Sequence, residues 1–213
     1  MIGVRRVLML SPHTDDVELG CGGTIARLLE DKETQIHVAV FSTAEDSLPK
    51  GYPKTQLKDE FLDSMGTLGI PKGNLTVRGY AVRKLSYKRQ DVLEELVSMK
   101  KSIDPGMVFL PSSQDLHQDH QTVYNEGLRA FKETTIWGYE LPWNTIAFPA
   151  RGFITLEKRH IDKKWKALQA YRSQLSLKRP YFTYEYVKGL ATVRGLQVKS
   201  RFAEAFEVVR EKW

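Results

Sequence analysis

The sequence predicts a Rossmann-like three-layer α/β/α sandwich with a mostly parallel central sheet. Short β-type apolar runs alternate with amphipathic helical stretches along the chain, no repeat or low-complexity segment interrupts them, and two polar clusters directly follow two of the runs. A chain of 213 residues is long enough to bury a sizeable core. Residues 1–213 therefore read as a single domain without an internal linker.

Taken in order, residues 6–11 form a short apolar run, residues 12–18 a polar turn, and residues 22–29 a helix-like stretch. Residues 35–42 alternate well enough for a second strand. Residues 55–68 place Leu57, Phe61 and Met65 on one helical face and stop at Gly69. A strand is expected at 75–80, a helix at 88–101 with Val92, Leu96 and Met99 in register, and a buried strand at 107–110 between Pro105 and Pro111. After a polar loop, Val123, Leu128 and Phe131 mark a helix. Residues 136–139 predict a strand, 157–175 a long helix and 205–209 a final strand.

Composition narrows the class. No apolar run approaches the roughly 18 residues of a membrane span, and the opening apolar stretch is too short for a secretory signal. A lone cysteine, Cys21, cannot form an internal disulfide; the expectation is a cytoplasmic protein without a transmembrane segment. The net charge of +6 is uneven: residues 1–50 carry 5 basic and 8 acidic side chains, 51–150 carry 12 of each, and 151–213 carry 15 and 6. A basic C-terminal third can face nucleic acid, an anionic surface or an acidic substrate. Here Lys158, Arg159, Lys163, Lys164 and Lys166 interleave with Ile161, Trp165 and Leu168 at helical spacing, which describes the solvated face of an amphipathic helix. No nucleic-acid motif accompanies it, and no nucleic-acid partner is expected.

The chemistry-bearing residues gather in two clusters. His13-Thr14-Asp15-Asp16-Val17-Glu18 follows the first strand, and Asp115-Leu116-His117-Gln118-Asp119-His120 follows the strand at 107–110. In open α/β sheets the binding crevice lies beyond the carboxyl ends of strands, near the reversal of strand order. A catalytic zinc takes three protein ligands and keeps a fourth position open. His13 and Asp16, three apart in a turn, can face one point, and a histidine of the second loop completes the set if the two strands are neighbours. Each residue also has an ordinary structural role: Asp15 or Asp16 can cap the following helix, Asp115 or Asp119 the next, and loop histidines are often solvated.

The strand followed by His13-x-Asp15-Asp16, then Gly20-Cys21-Gly22-Gly23-Thr24 and later His117-x-Asp119-His120, resembles the PIG-L/LmbE-like N-deacetylase family. Glu60 ahead of Leu68-Gly69, Lys166-Ala167-Leu168 leading to Ser173-Gln174, and Ala203-Glu204-Ala205-Phe206 extend the likeness over nearly the whole chain. The glycine stretch by itself is an incomplete dinucleotide fingerprint, equally readable as a tight turn into a helix. The resemblance implies that His13, Asp16 and His120 bind Zn2+, that another divalent metal can take its place, that Asp15 is the general base, and that His117 is a second catalytic group. Asp119 is expected to orient His117 or its loop. The implied reaction is hydrolysis of an N-acetyl amide on a small-molecule 2-acetamido, N-acetylglucosaminyl-type sugar conjugate. Metal-dependent phosphoester hydrolysis is the alternative within catalysis, and a basic nucleic-acid-binding protein on an enzyme-like fold the alternative outside it.

Two positions depart from the family pattern. Thr14 stands where proline is common and Val17 where an acidic residue usually follows the aspartate pair, so Glu18 either takes over from that acid or lies exposed. His37, in a strand, and His160, on the basic helix, are left outside the chemistry. The aromatic run 181–186 is expected to pack, and Arg83, Lys84, Lys88 and Arg89 to be solvated.

Overall fold

The computed structural model describes residues 4–212. Strand β1 (Arg6–Ser11) leads into α1 (Asp16–Leu28), followed by β2 (Gln35–Val40), α2 (Gln56–Leu68), β3 (Leu75–Val77), α3 (Arg89–Ile103) and β4 (Met107–Pro111). The second half contains α4 (Gln118–Ala130), β5 (Thr135–Tyr139), β6 (Gly152–Leu156), α5 (Lys158–Leu168), α6 (Arg172–Leu175), α7 (Tyr184–Leu196) and β7 (Phe202–Arg210). One seven-stranded sheet has the order β3-β2-β1-β4-β5-β7-β6. Its first five strands are parallel, and β7 runs antiparallel to both β5 and β6. The expected architecture is therefore present.

The central strands are apolar at successive positions because both faces are covered. Val7 and Met9 join the core formed with α1, α2, α5 and α7, whereas Leu8 and Leu10 join the one formed with α3 and α4. Helix α2 ends where expected, with Gly69 at φ +98 supplying the left-handed cap. No helix among the described residues is long and apolar enough to cross a membrane.

Several elements differ from expectation. Helix α1 begins six residues earlier than the predicted 22, and its glycines lie in its interior rather than in a turn. They permit close approach: a Cβ at Gly20 would lie 2.6 Å from Tyr139 Cδ2, and one at Gly23 2.5 Å from Leu156 Cδ1. The predicted helix 157–175 breaks after Leu168, which turns Tyr171 fully inward before α6 resumes. Strand β6 and helix α7 were not predicted at all.

The basic helix is not wholly solvated either. Lys164 is buried, donating 2.7 Å bonds to the Leu19 carbonyl and to Glu204 Oε1. Glu204 on β7 also accepts from the amides of Gly23, at 3.0 Å, and Thr24, at 2.7 Å. One carboxylate thus ties the last strand to both α1 and α5. Glu204→Ala would leave a buried ammonium without its counter-ion, and a loss of about 3–5 kcal/mol is expected in denaturant unfolding. Replacing Lys164 and Glu204 together by methionine is expected to cost less than Glu204→Ala alone.

Candidate metal centre

The sheet order reverses beside β1: the chain proceeds from β1 to β2 and β3 on one side, then crosses to β4 on the other. Strands β1 and β4 pair in parallel through Val7↔Met107, Leu8↔Val108 and Met9↔Phe109. Their carboxyl ends therefore open at the same edge, and the two polar loops meet there. This adjacency joins His13 to His117 and His120 across more than a hundred residues of chain.

The three proposed ligands converge. His13 Nδ1 lies 3.1 Å from His120 Nε2 and 3.2 Å from Asp16 Oδ2, and His120 Nε2 is 3.2 Å from that same oxygen. Tetrahedral zinc with ligand bonds of about 2.0–2.1 Å separates its ligands by about 3.3–3.4 Å. Two imidazoles and one carboxylate in a nearly equilateral triangle fit that demand. The ring nitrogens of His13, His117 and His120 also lie within 4.8 Å of one another, but the set containing Asp16 is tighter.

Each histidine of the triangle is backed by a carboxylate, which fixes its ring. Asp119 Oδ2 lies 3.0 Å from His13 Nε2, and Asp115 Oδ2 lies 2.7 Å from His120 Nδ1. Asp119 was expected to orient His117 or its loop; its carboxylate holds His13 and accepts from the amides of Arg83, at 2.5 Å, and Leu85, at 3.1 Å. Its capping role is also absent, because the His117 ring caps α4, with Nδ1 accepting from the Asp119 amide at 3.1 Å. Asp115 had only a capping role in the sequence. The signal for its true position was His120, five residues on, since Asp115 bridges the His117 amide and the His120 ring.

Asp15 occupies the N-cap position of α1 without forming a side-chain cap bond, so its carboxylate is not spent on the helix. Asp16, beside it, accepts from the His13 amide at 2.8 Å. Val17 enters the apolar core, and Glu18 is fully buried rather than exposed. Glu18 Oε1 accepts from Ser64 at 2.7 Å and meets the Tyr171 hydroxyl at 2.6 Å, and that hydroxyl also bonds the Thr14 carbonyl. The turn is braced from below by these contacts instead of by a proline at position 14.

The electrostatics favour a cation at the triangle. Burial alone would raise the Asp16 carboxyl, but the His120 and His13 rings hold it well below the usual carboxylate range. Burial lowers His120 and His13, yet the neighbouring carboxylates together outweigh it, Asp16 with Asp115 pushing His120 up to about 10 and Asp16 with Asp119 pushing His13 up to about 8. Positive charge is wanted there, and a metal ion competes with protons for it. Burial and the nearby Asp16 raise Asp15 to about 6, while burial and the neighbouring His120 and His13 rings drive His117 down to about 4. Burial also raises Glu18 to about 8.

The remaining candidates stay outside. His37 lies on β2, and His160 is buried in the capping box of α5, with Nε2 2.9 Å from Glu30. Lys88 and Arg89 pair with Asp91 and Glu126. In the run 181–186, Phe182 is buried in the core, and Tyr181 stacks on Trp143 with centroids 3.9 Å apart.

The family model described as PIG-L: GlcNAc-PI de-N-acetylase matches residues 8–131, a span that contains both loops. The chain belongs to the PIG-L family. An uncharacterized deacetylase of Escherichia coli K12, YaiS, is 26% identical over 176 residues, covering 79% of this chain and 91% of that protein. N,N'-diacetylchitobiose deacetylase from Pyrococcus horikoshii shares the fold with a TM-score of 0.78 at 19% identity, over 96% of this chain and 84% of that one. GalB, the 4-carboxy-2-hydroxymuconate hydratase from Pseudomonas putida, matches with a TM-score of 0.77 at 20% identity over 98% of both chains. A PIG-L fold alone therefore does not choose between deacetylation and hydration; the site must decide.

Because Asp115 touches no ligand position except through the His120 ring, Asp115→Ala is expected to lower divalent-metal affinity about 10–100-fold while leaving the fold intact. A competitive chelator titration, with circular dichroism as the folding control, checks this.

Proposed function

We propose that this PIG-L protein is a zinc-dependent hydrolase that removes the N-acetyl group of a 2-acetamido, N-acetylglucosaminyl-type sugar conjugate, releasing acetate and a free amine. One observation carries the reading: a compact His13–Asp16–His120 triangle stands beside a carboxylate, Asp15, that neither caps the helix nor belongs to the triangle. The family description supports the N-acetylglucosaminyl substrate class, and the deacetylase relative supports the reaction.

Bound by His13, Asp16 and His120, zinc would supply the Lewis acidity that polarises the acetamide carbonyl and acidifies water. Asp15 takes the proton of the attacking water. With its carboxyl raised only to about 6, it is mostly ionised at neutral pH and still basic enough for that task. His117 uses Nδ1 to accept from the Asp119 amide, so the proton of its neutral ring sits on Nε2. That arrangement suits a hydrogen-bond donor to the developing oxyanion better than an imidazolium acid. Asp15, having gained a proton, passes it to the departing amine. Asp119 contributes indirectly, by fixing His13.

Residues 1–213 act as one catalytic unit in this reading, since Tyr171 and Glu204 brace the turn and α1 from the far side of the sequence. The buried, unpaired Cys21 suits a reducing cytoplasm. Phosphoester hydrolysis is less well supported, because the metal-ligating cluster among the described residues is a single one and two-metal clamps are common in that chemistry. A nucleic-acid surface on α5 is disfavoured by its pairing: Lys158 with Asp162, Arg159 with Glu30 and Glu157, and Lys164 with Glu204.

Acetate release from a panel of N-acetylglucosaminyl glycosides, lipids and nucleotide sugars tests the reaction, and no release from any of them rejects it. Asp15→Asn is expected to retain zinc and lose about 10²-fold or more in kcat. His120→Ala is expected to lose zinc itself, and His117→Ala to lower kcat by about 10²–10³ with zinc retained. Metal content and turnover measured on the same preparations separate these roles.

A further inference from the structure

The chain that follows β3 encloses a surface cavity of about 570 Å³, lined by Gly79, Tyr80, Ala81, Lys84, Tyr87 and Lys88. That volume lies within the roughly 300–1,000 Å³ of small-molecule sites. The cavity opens at the same edge of the sheet as the metal centre. Residues 78–80 run on beside the carboxyl end of β2, with the Arg78 amide donating to the Val40 carbonyl at 2.8 Å and the Tyr80 amide to the Phe41 carbonyl at 3.1 Å. Lys84 then stands between the two residues whose amides bond Asp119, at 2.5 Å from Arg83 and 3.1 Å from Leu85, and Asp119 is 3.0 Å from His13 Nε2.

The walls of the cavity are fixed from behind. Val82 and Leu85 are buried, Arg83 between them is left-handed at φ +63, and the Tyr80 hydroxyl donates to Glu95 at 2.8 Å. A 3₁₀ turn, Leu85–Lys88, gathers Lys84, Tyr87 and Lys88 on one side, with Lys84 Nζ 5.4 Å from the centre of the Tyr87 ring. Tyr87 is 79% exposed, so its ring is not spent on the protein's own core. Lys88 meets Asp91 at 3.3 Å, but both side chains are more than half exposed, and such a pair yields readily to a stronger anion.

An aromatic face beside two ammonium groups suits a flat ring joined to phosphate: tyrosine stacks on any nucleobase, and lysine serves phosphate as a point charge. A simple anion would leave Tyr87 unused, and a neutral second sugar would leave the lysines unused. The order outward from the metal centre is Asp119, the Arg83 amide, Lys84 and then Tyr87. A nucleotide-activated acetamido sugar has the matching order of sugar, diphosphate and base.

We propose that this cavity holds the nucleoside diphosphate part of a nucleotide-activated N-acetyl sugar, with the base on the Tyr87 face, the diphosphate at Lys84 and Lys88, and the sugar reaching past Arg83 to the metal centre. This rests on the reading of the centre as an N-acetyl-sugar hydrolase and names its substrate class. Tyr87 and Lys84 bind the conjugate, and the chemistry at the acetamide stays with Asp15 and His117.

The test is titration calorimetry of the zinc-loaded enzyme with UDP, ADP, GDP and inorganic pyrophosphate. At least one nucleoside diphosphate is expected to bind about tenfold or more tightly than pyrophosphate, the margin that stacking of the base supplies. Tyr87→Ala is expected to erase that margin and Tyr87→Phe to keep it, while Lys84→Gln weakens the nucleotide about fivefold or more. No margin over pyrophosphate, a margin unchanged in Tyr87→Ala, or an affinity unchanged in Lys84→Gln overturns the proposal, since a diphosphate held at the metal alone would ignore both substitutions. The absence of diphosphate binding together with a KM for N,N'-diacetylchitobiose that rises in Tyr87→Ala gives the cavity to a second sugar and overturns it too. Nucleotide binding that behaves as expected, with no N-acetyl sugar deacetylated in free or nucleotide-linked form, sinks the hydrolase reading by itself and leaves the nucleotide site standing.

Discussion

The parallel pairing of β1 with β4 is the constraint on which the rest of the molecule depends. Helices are interchangeable layers over a sheet, but only this neighbour relation carries the chain ends after Ser11 and Pro111 to one edge. From it follow the meeting of His13 with His120, the reach of Asp119 across to His13, and the placement of Asp15 at the start of α1 beside both. Both faces of these strands are dry, so a shift of one residue in register would exchange the two cores and separate the loops.

Charge at that edge is arranged in layers. Asp16 sits among the donors, Asp115 and Asp119 stand behind the rings, and backbone amides of Arg83, Leu85 and His117 stand behind those carboxylates. Every buried carboxylate in the set is thus answered by donors, which is what makes such a concentration tolerable in a low-dielectric interior. It also separates the adjacent aspartates: Asp16 Oδ2 meets the His13 amide and both rings, whereas the Asp15 side chain makes no cap bond.

Much of this was legible in the sequence. The strand–turn–helix opening, the apolar run 107–110 and the two clusters placed the donors at strand ends, and the resemblance separated Asp15 from Asp16. What could not be read was spatial. Nothing local says that β4 lies beside β1, or that Asp119 serves His13 rather than His117, because that contact crosses between loops 106 residues apart. Helix α7 escaped notice because Gly189, Gly195, Val187 and Val193 are poor helix formers, and packing of Val187, Ala191 and Gly195 at helical spacing decides the matter. Strand β6 is only five residues long and lies close to the apolar Ile146 and Phe148, which blur its boundary. Lys164 reads as surface charge in any helical projection, since its partner Glu204 arrives 40 residues later on the final strand.

That partnership has a consequence for truncation. The segment 8–131 contains every donor atom of the triangle, yet the helix that presents Asp16 is clasped by a carboxylate on β7, 180 residues beyond Thr24. Cutting the chain before β7 keeps all three side chains and removes the clasp on the helix that carries one of them.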